Sequence, residues 1–251
     1  MDHKAYTVLH RAVQYLATAA KSYVPSRPDD SHTNLGWNGQ AMAFSTHDLD
    51  DTGVSLQFQV PSFQLQWVRD HHLLAGFDLD GHTHTEIVAW ITESAPSVGL
   101  PANYTFDLHY EIPYPLTPSY RFEKPEAEVL ARLVELRSRG STVLIGASIG
   151  LNLGLKPRVW PHHFDTGYLI ELDEGRAIGV GMAVPDKLID DFYLYISGYQ
   201  GHSYIDNSGM PEIALGKKYD DWWKGYAMPM PSDGQKNEIS FLMESIRAYK
   251  D

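Results

Sequence analysis

VSLQFQV (residues 54–60) and, after Pro61, SFQLQWV (residues 62–68) decide the fold class. In the first run the apolar Val54, Leu56, Phe58 and Val60 alternate with polar residues, and Phe63, Leu65 and Trp67 resume the alternation in the second. A period of two puts each apolar set on one side of an extended chain, so both runs are predicted strands with one face buried and one face polar.

Working outward, QAMAFSTH (40–47) reads as a further strand and DLDDTG (48–53) as the turn between. Upstream, Val8, Ala12, Tyr15, Leu16 and Ala19 recur at steps of three and four, which predicts a helix over about 6–22 that Pro25 does not allow to continue. A polar segment, SRPDDSHTNLGWNG (26–39), links the two. Downstream, GHTHTEIVAWITESAPSVGLP (81–101) has two readings. As a strand it aligns His82, His84 and Glu86. As a helix it opens on a capping box, Thr83 with Glu86, followed by Ile87, Trp90 and Ile91 at helical spacing, and this reading is preferred. NYTFDLHYEI (103–112) returns to period two, with Tyr104, Phe106, Leu108, Tyr110 and Ile112 on one side and Thr105, Asp107, His109 and Glu111 on the other.

A connector with Pro113, Pro115, Pro118 and Pro125 follows. The expectation is one domain over residues 1–251, with 1–118 and 119–251 as its possible halves. The second half opens on a predicted helix over 125–140, with Pro125 in its first turn and Gly140 past its end. Strands follow at TVLIGAS (142–148), HFDTGYLIEL (163–172), RAIGVGMAV (176–184) and FYLYISGY (192–199), the middle two joined as a hairpin by Asp173, Glu174 and Gly175. Ile239, Leu242, Met243 and Ile246 mark the apolar face of a terminal helix over 237–250. The predicted class is α+β: twisted, mostly antiparallel sheet flanked by helices, in a helix–strands–helix order that occurs twice.

With a formal charge of −12 and no Lys/Arg cluster, the chain lacks the footprint that phosphate neutralisation requires, so neither nucleic acid nor an anionic membrane is an expected partner. Without cysteine, disulfides, thiolate metal sites and a cysteine nucleophile are excluded. His10, Arg11 and Gln14 interrupt any signal-peptide core, and no run approaches the roughly 20 apolar residues of a membrane span, which reads as a cytoplasmic protein.

Chemistry is densest at Trp160-Pro161-His162-His163-Phe164-Asp165. On a strand, His163 and Asp165 project together, as metal ligands or an acid–base pair must. His109 joins them as a third ligand in this reading, for a divalent Zn, Fe or Mn, with Glu111 and Asp107 as the candidate catalytic bases for a metal-activated water. The competing reading is structural: Trp-Pro anchors a strand by packing, Asp165 caps a turn, and His163 donates to it. GASIG places Ser148 at nucleophile-elbow spacing, but no helix is expected after it, so the match is discounted.

Trp160, Pro161, His163, Phe164 and Asp165 form a W-P-x-H-F-D pattern. Over about residues 158–200 the chain resembles a bacterial domain family of unknown function that carries this signature, followed by a glycine-containing strand with a Pro-Asp turn and then an aromatic strand, here GVGMAVPD and FYLYISGY. That resemblance implies no activity.

The functional expectation is binding of a metal ion or a small polar ligand at a His/carboxylate cleft, with metal-dependent hydrolysis as its enzymatic form. Trp160, His162, Trp37 and His202 are the candidate ligand-binding residues. The alternative is non-catalytic binding, of a carbohydrate for example, in a groove lined by aromatics such as Trp37, Trp160, Trp222, Trp223, Tyr199 and Tyr204, or an interaction protein.

Overall fold

The computed structural model describes residues 3–114, 116–201, 203–230 and 235–250. Among the described residues, four α-helices and two mostly antiparallel sheets give the α+β class. The chain divides into two compact units, Met1–Glu135 with Val159–His163, and Leu136–Arg158 with Phe164–Asp251. The division falls beyond the proline-rich connector, and five residues of the W-P motif region return to the first unit.

In the first unit α1 (His3–Tyr23) buries Val8, Ala12, Tyr15, Leu16 and Ala19, the stripe its periodicity marks. Five strands follow as an antiparallel meander in sequence order: β1 (Gly36–Asn38), β2 (Ala43–Ser45), β3 (Val54–Gln59), β4 (Gln64–Arg69) and β5 (His72–Asp78). Val54, Leu56, Phe58, Leu65 and Trp67 are fully buried, as the alternation requires. The β3–β4 register pairs Gln57 with Gln66 and Gln59 with Gln64, so the glutamines share the other face. Asp70 (φ 48°) and His71 (φ 66°) turn β4 into β5, the left-handed pair that a two-residue hairpin of matching twist demands. β1 and β5 lie in segments whose sequence carries no clean alternation.

α2 (His84–Ser94) confirms the helical reading, with the Glu86 amide donating to Thr83 Oγ1 at 3.3 Å and the Thr83 amide to Glu86 Oε2 at 2.7 Å. The alternative strand with His82, His84 and Glu86 on one face is thereby removed. His84 Nδ1 instead hydrogen-bonds with the buried Tyr15 hydroxyl, 2.9 Å from its Oη.

Burial holds the His84 imidazole below its ordinary pKa. The unfolded chain therefore takes up this proton first, near pH 6.5, and stability present above that pH is lost as pH falls towards the folded value. His32, shifted the same way by burial, adds to the effect. Melting temperature is expected to fall between pH 7 and pH 5, and His84→Gln, which keeps an acceptor for Tyr15, to flatten that slope without abolishing it. An unchanged slope in the variant removes His84 from the account.

Residues 103–112 are not a strand. They run beside α1, where a polar stripe at four-residue steps receives them. Gln14 Oε1 accepts from Tyr110 Oη at 2.7 Å, Thr18 Oγ1 lies 2.8 Å from Tyr104 Oη, and Ser22 Oγ accepts from the Thr105 amide at 3.2 Å. A helix side offers no free backbone ladder, so alternate side chains make the bonds that a neighbouring strand would make. The alternation is real, but its partner is a helix.

α3 (Ala127–Gly150), which passes into the second unit at Leu136, runs straight through the expected stop at Gly140, and the strand expected at 142–148 does not form. A Cβ on Gly140 would sit 2.2 Å from Met182 Sδ, and Cβ atoms on Gly146 and Gly150 would crowd Ile239 and Met243. These glycines are flat spots for close packing and not helix ends. In β6 (Arg158–Trp160), Val159 belongs to the first unit and exchanges two 2.8 Å backbone hydrogen bonds with Leu35 of the same unit. The second sheet carries β7 (Asp165–Glu171), β8 (Arg176–Ala183), β9 (Tyr193–Gln200), β10 (Ser203–Tyr204), β11 (Lys217–Asp220) and β12 (Lys224–Pro229), with spatial order β11-β12-β9-β8-β7 and β10 on β9. β7 and β8 form the expected hairpin. α4 (Gln235–Lys250) buries Phe241, Leu242, Ile246 and Tyr249. Each unit repeats the helix–strands–helix order, but the second sheet is not a simple meander, because β12 inserts beside β9. Among the described residues no helix is long and apolar enough to cross a membrane.

Candidate functional site

Pro161 to Phe164 form a turn, and Phe164 at φ 62° breaks the strand that sequence periodicity extends back to His163. β7 starts at Asp165, and the period-two rule holds only from there: Thr166, Tyr168 and Ile170 are buried as expected. His163 sits exposed in the turn, so the expected pairing of His163 and Asp165 on one strand face does not occur.

Within the first unit the turn is tied to α1. The Pro161 carbonyl accepts from the buried Gln14 Nε2 at 2.9 Å and lies 2.7 Å from His10 Nε2. The other nitrogen of His10 meets the Tyr114 hydroxyl. With Pro161 pinned, the side chains around it form a chain of rings. Trp160 lies 6.1 Å from His162, His162 lies 4.4 Å from His163 and 5.7 Å from Tyr110, and Tyr110 lies 4.8 Å from His109, all between ring centroids. Trp160, His162 and Tyr110 are half-buried, while His109 and His163 reach the surface. Burial raises the Tyr110 hydroxyl far above its ordinary pKa, so it stays a neutral donor to Gln14.

Four residues expected on sequence grounds, Trp160, His162, His163 and His109, thus meet in one place, though not as a metal centre. Among the described residues no three His, Asp or Glu side chains are grouped to hold a metal ion, so the expected set of His163, Asp165 and His109 is not assembled. The carboxylates are engaged elsewhere. His109 faces Asp30 at 3.5 Å. Asp107 bonds Lys21 at 2.7 Å, and that hydrogen bond holds its carboxyl below the usual carboxylate range, which makes it a poor base. Glu111 is exposed on the irregular segment 103–112 and not on the strand that was to aim it at a metal. Trp37 is half-buried against Phe44 at 4.7 Å, a packing role. His202 lies outside the described residues.

Asp165 belongs to the second unit, where Tyr195 Oη donates to its Oδ2 at 2.5 Å. The Tyr195 ring lies over Gly181, whose Cβ would come within 2.6 Å of it. Burial, and then the Asp165 charge, push the Tyr195 hydroxyl well above its ordinary pKa. Arg137, buried on α3, donates to Thr166 Oγ1 at 2.5 Å and to the Phe164 carbonyl at 2.9 Å, with its guanidinium pushed down to about 10 by burial. These contacts fix the start of β7. Ser148 sits inside α3 and bonds both backbone groups of Leu155, so it is no nucleophile elbow. Of the remaining aromatics in this unit, Tyr199 and Tyr204 pair at 5.4 Å, Trp223 meets Tyr219 at 5.7 Å, and Trp222 is exposed.

The residues that sequence reasoning missed are His10, Gln14, Tyr110 and Tyr114. A signal exists for the first two: His10, Gln14 and Thr18 step by four along an otherwise apolar helix, a buried polar stripe that needs partners. Comparison with known proteins found no similar family model, curated protein or solved structure.

Proposed function

We propose that the protein binds a small, polar, ring-shaped organic ligand on the Trp160–His162–Tyr110 ring cluster, without catalysing its conversion. The observation that carries this reading is the linked chain of five rings, from Trp160 to His109, with His162 and His163 on a pinned turn and His109 and His163 at the surface. Flat aromatic faces provide stacking area at small entropic cost, and imidazoles at the rim provide donors and acceptors for hydroxyl or ring-nitrogen groups. The engagement of Asp107 with Lys21 favours binding over hydrolysis.

Thermal melting against glucose, galactose, N-acetylglucosamine, adenosine and nicotinamide tests it. A native-state ligand at a hundred times its Kd stabilises by about 2.7 kcal/mol, a readily measured shift. At least one probe is expected to raise the melting temperature, and Trp160→Ala or His162→Ala to erase that rise. No rise with any probe, or a rise that both variants keep, defeats the reading.

A further inference from the structure

The polar face of the first sheet has an arrangement that solvation alone does not call for. Two rows cross four strands. One runs Ser45, Gln57, Gln66, Gly76, and the other Ala43, Gln59, Gln64, Asp78, each neighbour a register partner of the next. Four glutamines thus stand as a two-by-two block on β3 and β4, bordered by the small side chains of Ala43 and Ser45 on β2 and by Gly76 on β5. All four are half-buried. Strand and residue spacings make the block about 5 by 7 Å, the footprint of one sugar ring.

Each feature of the block suits a hydroxyl-rich ligand. A carboxamide offers two donors and an acceptor oxygen with two lone pairs, matching hydroxyls that also donate and accept, whereas an ammonium or a carboxylate offers only one kind. Glutamine is a poor choice for an idle strand face, where β-branched or aromatic residues fit the pleat better. Three of the amides are held in place. Gln59 Oε1 accepts from the Ser62 amide at 2.6 Å, and Gln66 Nε2 donates to Gln64 Oε1 at 3.3 Å. The Gln57 side chain makes no hydrogen bond among the described residues.

Gly76 is the second, independent observation. A Cβ there would meet nothing closer than 3.8 Å, so the fold does not require glycine at this position. A side chain there would rise beside Gln66, and its absence leaves the face flat and open to an edge at Asp78, whose carboxylate supplies a further acceptor.

We infer that this face binds a neutral glycan chain laid flat across β3 and β4, its hydroxyls bonded to the amides of Gln57, Gln59, Gln64 and Gln66. The site is separate from the ring cluster and does not depend on it.

Sedimentation of the full chain with insoluble cellulose, chitin and xylan tests the inference, with calorimetry on the soluble oligosaccharides of whichever polymer retains it. Retention on at least one polymer is expected, and it should persist in 1 M NaCl because the contacts are uncharged. Gln57→Leu with Gln66→Leu should weaken binding at least tenfold. Gly76→Val should do the same by standing in the way, since the backbone tolerates it. Melting curves check that each variant is folded, and Gln57→Ala with Gln66→Ala, which also removes both amides, replaces the leucine variant if that one fails. Trp160→Ala should leave retention unchanged, which separates this site from the ring cluster. The inference is overturned by absence of retention on all three polymers, by retention that salt abolishes, or by folded glutamine and Gly76 variants that bind normally. Loss of retention in Trp160→Ala alone overturns it too. Self-association that the same glutamine variants abolish would give the face to a second copy of the chain and likewise overturn it.

Discussion

Replacing Arg139 by methionine is expected to cost about 3–5 kcal/mol of stability, because it leaves the Glu238 carboxylate buried without its cation. Arg139 on α3 donates from Nε to Glu238 Oε2 of α4 at 3.0 Å. The second contact, Nη2 to Oε1 at 2.8 Å, is close but poorly angled, so it counts as an ionic contact and not as a hydrogen bond. The Glu238 side chain is 0 % exposed, so no water replaces the lost partner. Burial already raises the Glu238 carboxyl above its ordinary pKa, with Arg139 opposing the rise. A carboxyl whose folded pKa lies above its unfolded value favours the fold most at low pH and less as pH rises through the folded value. Without Arg139 that folded value climbs further. The deficit of Arg139→Met is therefore largest above neutrality and shrinks as pH falls and Glu238 takes up a proton. Urea denaturation at pH 8 and pH 5 measures both. The double variant Arg139→Met with Glu238→Leu is expected to recover at least half the loss, because the uncompensated charge is gone. A deficit that is small, or the same at both pH values, contradicts the account.

This pair also shows where sequence reading stops. Gly140 stands one residue after Arg139, and glycine just past three arginines has the composition of a helix end. What keeps the helix going is Met182, which fills the space a side chain would need, and Met182 is 42 positions away. A glycine that spaces and a glycine that terminates differ only in their neighbours. The segment 103–112 fails for a related reason: period two says which side chains share a side, and Tyr104 and Tyr110 do, but not whether the partner is a strand or a helix. β5 escaped because its alternation is broken. Trp67 pairs with Ala75 while Val68 pairs with Leu73, so Leu74 is an extra residue, and Gly76 interrupts what remains. At the site, the ring-bearing residues of the motif were legible as a dense cluster in the sequence, whereas their grouping depends on the grip of Gln14 on Pro161. Local readings succeed where sequence neighbours also supply the partner, as in the Thr83–Glu86 cap and the β7–β8 hairpin.

The segment that decides the fold makes the sharpest comparison, because adjacent residues should respond in opposite ways. Trp67→Ala is expected to cost about 3–5 kcal/mol, and Gln66→Ala no more than about 0.5 kcal/mol. Trp67 is 0 % exposed, pairs across the strand with Leu56 and stacks on Trp90 at 6.2 Å. Its indole Nε1 donates to Ser94 Oγ at 2.8 Å, and Ser94 in turn donates to the Trp90 carbonyl at 2.6 Å. Truncation therefore opens a large cavity and also strips a donor from a polar atom beneath the helix. Strand pairing on both sides of β4 limits how far the sheet can close over the gap, which places the cost near the top of the range. Gln66 points to the opposite face, where its loss removes one 3.3 Å side-chain hydrogen bond and no core contact. Urea titration followed by circular dichroism compares the two directly and does not depend on the fluorescence of the deleted indole. Should Trp67→Ala cost less than 1 kcal/mol, or Gln66→Ala match it, the two faces of β4 are misassigned, and the glutamine face loses its footing with them.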